Sequence, residues 1–349
     1  MIVQMHGLAT ARAPHELPQD LVRRRAEQIL GPRFPQFARM LPSFEQAGID
    51  RRQSVAPMDW FDDRPHDWAE RNALWLDGCC GLFRDAAGAA LADAGWSAAE
   101  VDTIVTVTST GIATPTLEAR VADEMGFRPD VMRVPVFGLG CAGGASGLSI
   151  AADLARARPG SRVLLVVVEA CTLSFRTDRM TKADIIATVL FGDGGAAACL
   201  STGGRARIAV HPGVQHRWPG TLDIMGWDVD ATGLGVIFDR SIPDFARQEI
   251  AAATDSAIAG LGRDRAEFDG HLCHPGGAKV VIALEEALGL APGALAVERD
   301  VLRANGNMSA PTVLFVLDRA RAEGRTGRQL LMALGPGFTA SYVPLEMTA

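Results

Sequence analysis

Buried strand-like runs that alternate with alanine-rich helical stretches are the feature that most constrains how this chain can fold. Apolar runs at 101–109 and 161–170 are separated by helical stretches, one near 116–124 and one that ends near residue 157. Strands that are apolar at nearly every position are buried on both faces, as in a sheet covered by helices on both sides. The same alternation returns between residues 268 and 335. The pattern predicts an α/β protein.

A weak internal repeat relates the two parts of the chain. The stretch that begins at Gly95 aligns with the stretch that begins at Gly262, and each follows an alanine-rich helix and precedes a strand. The same shift carries Cys141 to the position beside Asn307. If the chain is duplicated, these two residues lie on equivalent turns and converge at a pseudo-twofold axis.

Length and composition exclude several classes of function. At 349 residues the chain can form two packed halves, which we place at 1–204 and 205–349. The formal net charge of −7 argues against a nucleic-acid-binding surface. No apolar run approaches the roughly 20 residues of a membrane span, and the N-terminus lacks a secretion signal, so we expect a cytoplasmic protein. The six cysteines have no zinc-site spacing, and in a chain of this size without a secretion signal we expect them to be reduced thiols.

One cysteine is placed where a nucleophile would be expected. Cys141 follows a strand-like run, lies in a glycine-rich turn and directly precedes an amphipathic helix. The free N–H groups and positive dipole end of that helix are expected to lower the pKa of the thiol and favour the thiolate. A structural cysteine in a tight turn fits the same segment, and the segment alone does not decide between the two.

A histidine and an asparagine occupy similar turns further along the chain. His274 lies where a strand meets a glycine-containing turn and a helix, and Asn307 lies in a polar turn that opens an apolar helix. His271 and Asn305 are the neighbouring alternatives. A histidine can pair with a thiolate, and an amide donor beside it can stabilise the oxyanion of a thioester enolate. Cysteine, histidine and asparagine together, in this order, are more specific than any one of them.

Five ordered motifs resemble the signatures of the chalcone and stilbene synthase family, the type III polyketide synthases. They are FGLGCAGG at 137–144, ATVLFGDGGAA at 187–197, CHPGG at 273–277, ANGNMSAPTVLFVL at 304–317 and ALGPGFTA at 333–340. The resemblance extends over nearly the whole chain from about residue 95.

The resemblance implies the thiolase fold, with duplicated halves in a five-layer αβαβα arrangement, and a homodimer. It implies that Cys141 carries the acyl group, while His274 and Asn307 bind the thioester carbonyl and promote decarboxylation of malonyl-CoA. The substrates would be acyl-CoA and malonyl-CoA thioesters, joined by Claisen condensation, with no bound cofactor or metal.

The resemblance also suggests residues that shape the substrate passage. Phe191 matches the first gatekeeper aromatic, and Val236 replaces the usual second phenylalanine, which is expected to widen the passage. The remaining matched positions are cavity-lining Thr114, Cys171, Ser174 and Ser309, with Thr114 reaching into a partner subunit, and Gly335 and Gly337 beside the cyclisation pocket. The basic candidates for coenzyme A phosphates are Arg39, Arg51 and Arg52.

The segment EACTLSF at 169–175 most resembles bacterial members that make alkylpyrones or alkylresorcinols. We therefore expect a medium or long fatty acyl starter. Four alternatives remain open at this point: a chalcone-type synthase with an aromatic or small starter, a single-step β-ketoacyl synthase that uses a carrier protein, a papain-like hydrolase, and an inactive acyl-CoA-binding scaffold.

Overall fold

The computed structural model describes residues 1–178 and 181–349, which form fourteen strands and eleven α-helices. The strands are β1 (Val3–Arg12), β2 (His15–Pro18), β3 (Arg51–Ser54), β4 (Thr103–Val107), β5 (Met132–Val136), β6 (Val163–Ala170), β7 (Asp193–Ser201), β8 (Ile208–Val210), β9 (Val214–Arg217), β10 (Met225–Asp230), β11 (Gly233–Phe238), β12 (Gly270–Cys273), β13 (Gly327–Gly335) and β14 (Thr339–Met347).

The helices vary from one turn to 27 residues. They are α1 (Gln19–Leu30), α2 (Pro42–Gln46), α3 (Met58–Asp63), α4 (Trp68–Ala94), α5 (Leu117–Met125), α6 (Gly143–Ala157), α7 (Lys182–Leu190), α8 (Ile242–Ala259), α9 (Ala278–Leu288), α10 (Ala296–Asn305) and α11 (Thr312–Ala322). The long helix α4 begins with a capping box between Asp67 and Glu70 and ends at Gly95, whose φ of 66° suits a residue without a Cβ.

Ten of the strands form one hydrogen-bonded sheet. Its order is β12-β13-β14-β8-β1-β7-β6-β4-β5, with β9 also pairing with β14. Strands β1, β4, β5, β6 and β7 come from the first half of the chain and the other five come from the second. The short strand β8 pairs with both β1 and β14 and so joins the two halves.

The buried side chains divide the molecule into layers. Helices α6 and α11 lie in the central core, where Leu148 and Leu314 pack with apolar residues from the strands of both halves. Helix α4 covers the outer face of the first half through Leu82 and Phe83. Helices α8 and α9 cover the outer face of the second half. The succession of helix, sheet, helix, sheet and helix is the predicted five-layer αβαβα arrangement.

The predicted elements are confirmed to within a few residues. The expected strands at 161–170 and 329–335 are β6 and β13, and the expected helix at 280–288 is α9. Cys141 lies at the N-terminus of α6, His274 follows β12, and Asn307 lies between α10 and α11. Each of the three residues therefore lies next to the end of a helix or strand that is packed in the core.

Candidate active site

The turn that carries Cys141 is held by its own backbone geometry and by one serine. Gly138 and Gly140 adopt φ values of 90° and 47°, which residues with a side chain rarely adopt. The hydroxyl of Ser109, just beyond β4, accepts hydrogen bonds from the N–H groups of Gly138 and Gly140, each at 3.2 Å. These contacts fix the backbone that leads into Cys141.

Gly335 packs directly against this turn. A Cβ on Gly335 would lie 2.6 Å from the Cβ of Ala142 and 2.6 Å from the carbonyl oxygen of Leu139. Such distances leave no room for a side chain, so the close packing of β13 on the nucleophile turn requires glycine. Gly337, two residues on, has a φ of 67°, and a Cβ there would meet only the hydroxyl of Thr339, at 4.0 Å.

Asn307 is fixed by hydrogen bonds on both sides. Its Oδ1 accepts from the N–H of Ser309 at 2.8 Å, and its Nδ2 donates to the carbonyl oxygen of Gly276 at 3.1 Å. Ser309 adopts a φ of 60°. The side chains of Ser309 and Asn307 both lower the pKa of the Cys141 thiol, so both lie beside it. The structure therefore brings the predicted cysteine and asparagine together.

His274 reaches the same site from β12. An ideal Cβ on Gly276 would be 3.8 Å from Cδ2 and from Nε2 of His274. Gly276 is also the residue that accepts the hydrogen bond of Asn307, so the imidazole and the carboxamide share one neighbour. Within the described part of the chain, neither ring nitrogen of His274 has a hydrogen-bond partner.

The two alternative residues face elsewhere. Asn305 donates from Nδ2 to the carbonyl oxygen of Val301 on its own helix, at 2.9 Å. His271 is buried on β12, two residues before the strand ends. The geometry therefore favours Asn307 and His274 over these neighbours.

The pKa of the candidate nucleophile differs from the sequence-based expectation. Burial raises the pKa of the Cys141 thiol to about 11, although hydrogen bonds from Ser309 and Asn307 act in the opposite direction. Burial also lowers the pKa of His274 to about 4. The expectation of a lowered thiol pKa is therefore wrong, because loss of hydration outweighs the helix terminus. Burial thus disfavours a lone charge on either group.

A buried carboxyl group lies beneath the nucleophile turn. Oε2 of Glu169, at the end of β6, accepts hydrogen bonds from the N–H of Ser109 at 2.9 Å and from the hydroxyl of Thr110 at 2.7 Å. Burial raises its pKa to about 7. Its negative charge in turn raises the pKa of Cys141. Protonation of Glu169 near neutrality therefore favours the thiolate.

The segment around Phe191 is joined to Asn307 through backbone hydrogen bonds. The N–H of Gly192 donates to the carbonyl oxygen of Asn307 at 3.0 Å, and the N–H of Asn307 donates to that of Leu190 at 2.8 Å. The ring of Phe191 meets Trp227 edge to face, with 6.1 Å between centroids. A displacement of residues 190–192 would therefore also displace Asn307.

Trp227 changes the interpretation of Val236. The two residues are directly opposed across the β10–β11 hairpin. Val236 is buried beside Phe191, and the indole of Trp227 supplies aromatic bulk against the same ring. The expected widening of the passage by valine is thus offset by its cross-strand neighbour. The hairpin is anchored by Arg176, which contacts both carboxylate oxygens of Asp230 at 2.9 and 2.8 Å.

Arg52 serves the protein backbone. The residue is 2% exposed, and its guanidinium donates to the carbonyl oxygens of Thr188, Val189 and Phe191 at 2.8, 2.6 and 2.9 Å. Another hydrogen bond joins it to Gln19. Because these donors are engaged inside the protein, the assignment of Arg52 to a coenzyme A phosphate is withdrawn.

The other predicted residues occupy a range of positions. Cys171 is buried beside Phe191, and the hydroxyl of Ser174 donates to the carbonyl oxygen of Cys171 at 2.8 Å. Thr114 is exposed on the loop after β4. Arg39 and Arg51 are exposed, and Arg51 lies 3.5 Å from Glu16.

Sequence reasoning missed three residues of this region. The sequence did carry a signal for Glu169, because a carboxylate is unusual at the end of an otherwise apolar strand. Trp227 and Ser109 had no comparable signal, because their roles depend on partners distant in the sequence.

Comparison with known proteins identifies the family. The profile described as "Chalcone and stilbene synthases, N-terminal domain" matches residues 66–204, and that of the C-terminal domain matches residues 209–347. The chain belongs to the chalcone and stilbene synthase family. It is a type III polyketide synthase, an acyltransferase that acts on coenzyme A thioesters. Papain-like and carrier-protein-dependent β-ketoacyl synthase assignments are thereby excluded.

Two curated relatives span nearly the whole synthase. A 1,3,6,8-tetrahydroxynaphthalene synthase of Streptomyces peucetius subsp. caesius is 38% identical over 348 residues, which cover 97% of this chain and 91% of the relative. An acylalkylpyrone synthase, CsyB, of Aspergillus oryzae is 29% identical over 97% of this chain and 92% of its own.

Solved structures agree with the fold. The 1,3,6,8-tetrahydroxynaphthalene synthase of Streptomyces coelicolor A3(2), described as a bacterial type III polyketide synthase, superposes with a TM-score of 0.93 at 27% identity, covering 99% of this chain and 100% of that one. CsyB complexed with CoA-SH superposes with a TM-score of 0.91 at 28% identity, with the same coverage. The synthase therefore has the thiolase fold of these enzymes.

The described residues offer neither a metal-binding cluster nor a membrane-spanning helix. In residues 1–178 and 181–349, no cluster of three or more His, Cys, Asp or Glu side chains is arranged to hold a metal ion. Over the same residues, no helix combines the length and apolar character needed to cross a membrane.

Proposed function

We propose that this synthase loads an acyl group onto Cys141 and extends it with malonyl-CoA under the control of His274 and Asn307. The observation that carries the proposal is the shared geometry of the three side chains: Asn307 donates to the carbonyl oxygen of Gly276, which lies against the imidazole of His274, and Asn307 also lies beside the thiol of Cys141. The amide hydrogens of Asn307 and an N–H of a neutral imidazole are suitable donors to a thioester oxygen.

Loading exchanges one thioester for another. His274 accepts the proton of the Cys141 thiol as sulfur attacks the starter carbonyl. The bond between that carbonyl and coenzyme A breaks, and the proton leaves with the coenzyme A thiol. A neutral thiol beside a neutral imidazole suits this coupled transfer, since both pKa shifts disfavour separated charges.

Extension breaks one carbon–carbon bond and forms another. Loss of carbon dioxide from malonyl-CoA leaves an enolate, whose oxygen is stabilised by His274 and Asn307. The enolate carbon attacks the acyl-Cys141 carbonyl, and the cysteine sulfur leaves as a thiolate that takes up a proton from solvent. The lengthened chain, now on coenzyme A, is transferred back to Cys141 for each further extension before it cyclises.

We propose a medium or long fatty acyl starter and an alkylpyrone or alkylresorcinol product. An apolar cavity extends from Cys171 and Phe191 towards α1, and its apolar lining consists of Leu17, Val22, Ala26, Ile29, Met58, Phe61, Phe175 and Ala187. Burial of an alkyl chain contributes about 0.8 kcal/mol per methylene. A linear tail of several methylenes would therefore be favoured there.

A second candidate is a short starter with closure to a compact aromatic product. Trp227 fills space against Phe191 and lines a smaller cavity with Cys171 and Ser174. Relatives named 1,3,6,8-tetrahydroxynaphthalene synthase support the same choice. The two candidates differ in the length of starter that the region around Trp227 accepts.

For the phosphates of coenzyme A, Arg39 and Arg51 remain the proposed ligands. Both are exposed, and guanidinium groups bind phosphate through paired N–H donors. The cytoplasmic location and the division of the chain near residue 204 also stay predictions.

We also propose a homodimer formed along β5. This strand forms the edge of the sheet opposite to β12, and Ile112 and Phe137 beside it are 54% and 57% exposed. An apolar cavity opens between them, and Thr114 lies on the same exposed loop. A second copy of the chain would cover this face and bring each Thr114 near the partner.

The test is mass spectrometry of products from malonyl-CoA with acyl-CoA starters from acetyl to palmitoyl, for the wild type, Cys141→Ala and the matched control Cys80→Ala. Cys80 is partly buried on α4, away from the site. Products with long alkyl tails that disappear only with Cys141→Ala support the fatty acyl proposal. Products built only from short starters support the second candidate. Extension by Cys141→Ala would refute the role of the cysteine.

A further inference from the structure

The strand that delivers His274 lies at the edge of the sheet. Strand β12 pairs with β13 on one side only, and the N–H of His274 donates to the carbonyl oxygen of Met332 on that side, at 2.8 Å. Among the residues that the structure describes, no strand pairs with its outer side. An edge strand without such partners is free to shift.

Two side chains replace the missing strand. Oε1 of Glu298 accepts a hydrogen bond from the N–H of Cys273 at 2.9 Å, and Arg325 donates to the carbonyl oxygen of His271 at 3.2 Å. Glu298 is completely buried, and its other oxygen, Oε2, has no hydrogen-bond partner in residues 1–178 and 181–349. The only hydrogen bond from another residue that the structure gives this carboxyl group, within the described residues, is thus the one from Cys273, directly before His274.

Glu298 also connects the two elements that supply the oxyanion donors. It lies in the first turn of α10, and this helix ends at Asn305, two residues before Asn307. The hydrogen bond to Cys273 therefore joins the helix that leads to Asn307 with the strand that leads to His274. On the other side of α10, Arg299 forms a two-pronged ion pair with Glu285 of α9, at 2.6 and 2.7 Å.

The position of the imidazole depends on this backbone. Both ring nitrogens of His274 lack hydrogen-bond partners in the described chain, so side-chain hydrogen bonds do not orient the ring. Its placement rests on packing and on the end of β12. A displacement of about 1 Å at a catalytic group can lower the rate by about a hundredfold.

We propose that Glu298 is a positioning residue that sets His274 against Asn307 by fixing the N–H of Cys273. The inference rests on the proposed role of His274. Glutamine at position 298 keeps an oxygen acceptor for that N–H, whereas alanine removes it. Glu298→Gln should therefore retain function, and Glu298→Ala should lose it.

The experiment measures malonyl-CoA decarboxylation and the rate of Cys141 alkylation by iodoacetamide, well below the unfolding temperature of every variant. We expect Glu298→Ala to lower kcat about tenfold or more, with KM for malonyl-CoA changed less than about twofold. Glu298→Gln should restore kcat to within about twofold of wild type. The matched control is Glu285→Gln, which weakens the α9–α10 ion pair without touching β12 and should lower the unfolding temperature alone.

Two outcomes would overturn the inference. One is wild-type kcat in folded Glu298→Ala, and the other is a loss of kcat that follows the unfolding temperature equally in Glu298→Ala and Glu285→Gln. His274→Gln is measured in parallel. Unchanged decarboxylation by that variant would refute the role of His274 itself, and so distinguishes failure of the proposed function from failure of the positioning role.

Discussion

The N–H of Ser309 donates to Oδ1 of Asn307 at 2.8 Å, and this hydrogen bond decides which end of the carboxamide faces the reaction. Because Oδ1 is engaged, Nδ2 is directed towards Gly276 and the nucleophile. The amide donor of Asn307 is thus oriented by the backbone N–H of Ser309, two positions further along the chain.

Replacement of this donor should remove decarboxylation. Asn307→Asp keeps an acceptor for the N–H of Ser309 but presents a carboxylate where the enolate charge develops. We expect malonyl-CoA decarboxylation to fall about a hundredfold or more, as with the loss of other oxyanion donors. Asn305→Ala is the control, since Asn305 bonds within its own helix, and should keep the wild-type rate. Equal losses in both variants would contradict the assignment.

The pH dependence of thiol reactivity should reveal the resting charge state of Cys141. With the pKa raised to about 11, the rate of alkylation by iodoacetamide should still be rising at about pH 9. Glu169→Gln removes a negative charge that raises this pKa, so its profile should shift to lower pH. Peptide mass spectrometry would restrict the measurement to Cys141. Rapid alkylation that is unchanged down to about pH 6 would instead indicate a resting thiolate–imidazolium pair.

The hairpin residues that face Phe191 should control starter length. Trp227→Ala removes the indole ring, and we expect kcat/KM for decanoyl-CoA relative to acetyl-CoA to rise about tenfold. Val236→Phe adds an aromatic ring on the same hairpin, near Phe191, and should lower the ratio of kcat/KM for decanoyl-CoA to that for acetyl-CoA. Trp227→Phe, which keeps an aromatic ring, serves as the control. A ratio that is unaffected by both Trp227→Ala and Val236→Phe would exclude the hairpin as the selector.

Arg52 should matter for stability more than for substrate binding. Arg52→Ala removes the guanidinium donor from the carbonyl oxygens of Thr188 and Phe191, whereas that of Val189 keeps Gln19 as a donor, and we expect the free energy of unfolding to fall by about 3 kcal/mol. The neighbouring exposed residue gives the control: Arg51→Ala should change it by less than about 0.5 kcal/mol. Denaturant unfolding measures both. A folded Arg52→Ala of normal stability with a raised KM for acyl-CoA would restore the phosphate-binding role.

Stability should fall as the pH rises through neutrality, partly because of Glu298. Burial raises its folded-state pKa to about 7 from an ordinary value of 4.5, despite opposing charges on Arg325 and Arg299. The folded protein therefore holds this proton more tightly than the unfolded chain. The resulting stabilisation is complete below pH 4.5 and is lost as the pH rises through about 7.

Glu298→Gln should remove this pH dependence. Between about pH 5 and about pH 8 we expect the stability of the variant relative to wild type to increase by about 3 kcal/mol. Urea unfolding at several pH values provides the measurement, with exposed Glu286→Gln as the control. A relative stability that does not change with pH would mean that the folded and unfolded pKa values are equal.

Much of the fold was predictable from the sequence because its signals are local. Continuous apolar runs such as β6 are buried on both faces whatever surrounds them, and periodic helices such as α9 need only a neighbouring apolar surface. The candidate triad was recognisable for a related reason. Cys141, His274 and Asn307 each follow a change from one element to another, and the motifs around them are short and contiguous.

The tertiary structure decided the properties that depend on distant partners. The sequence placed Cys141 at a helix N-terminus, but only packing revealed that burial raises its pKa. It suggested that Val236 widens the substrate passage, but the register of the hairpin places the indole of Trp227 opposite this valine. It offered Arg52 as a phosphate ligand, but the fold surrounds that guanidinium with carbonyl oxygens. Periodicity and motifs determine which elements form and which residues stand at their ends, whereas hydration, charge and fit arise only when those ends meet.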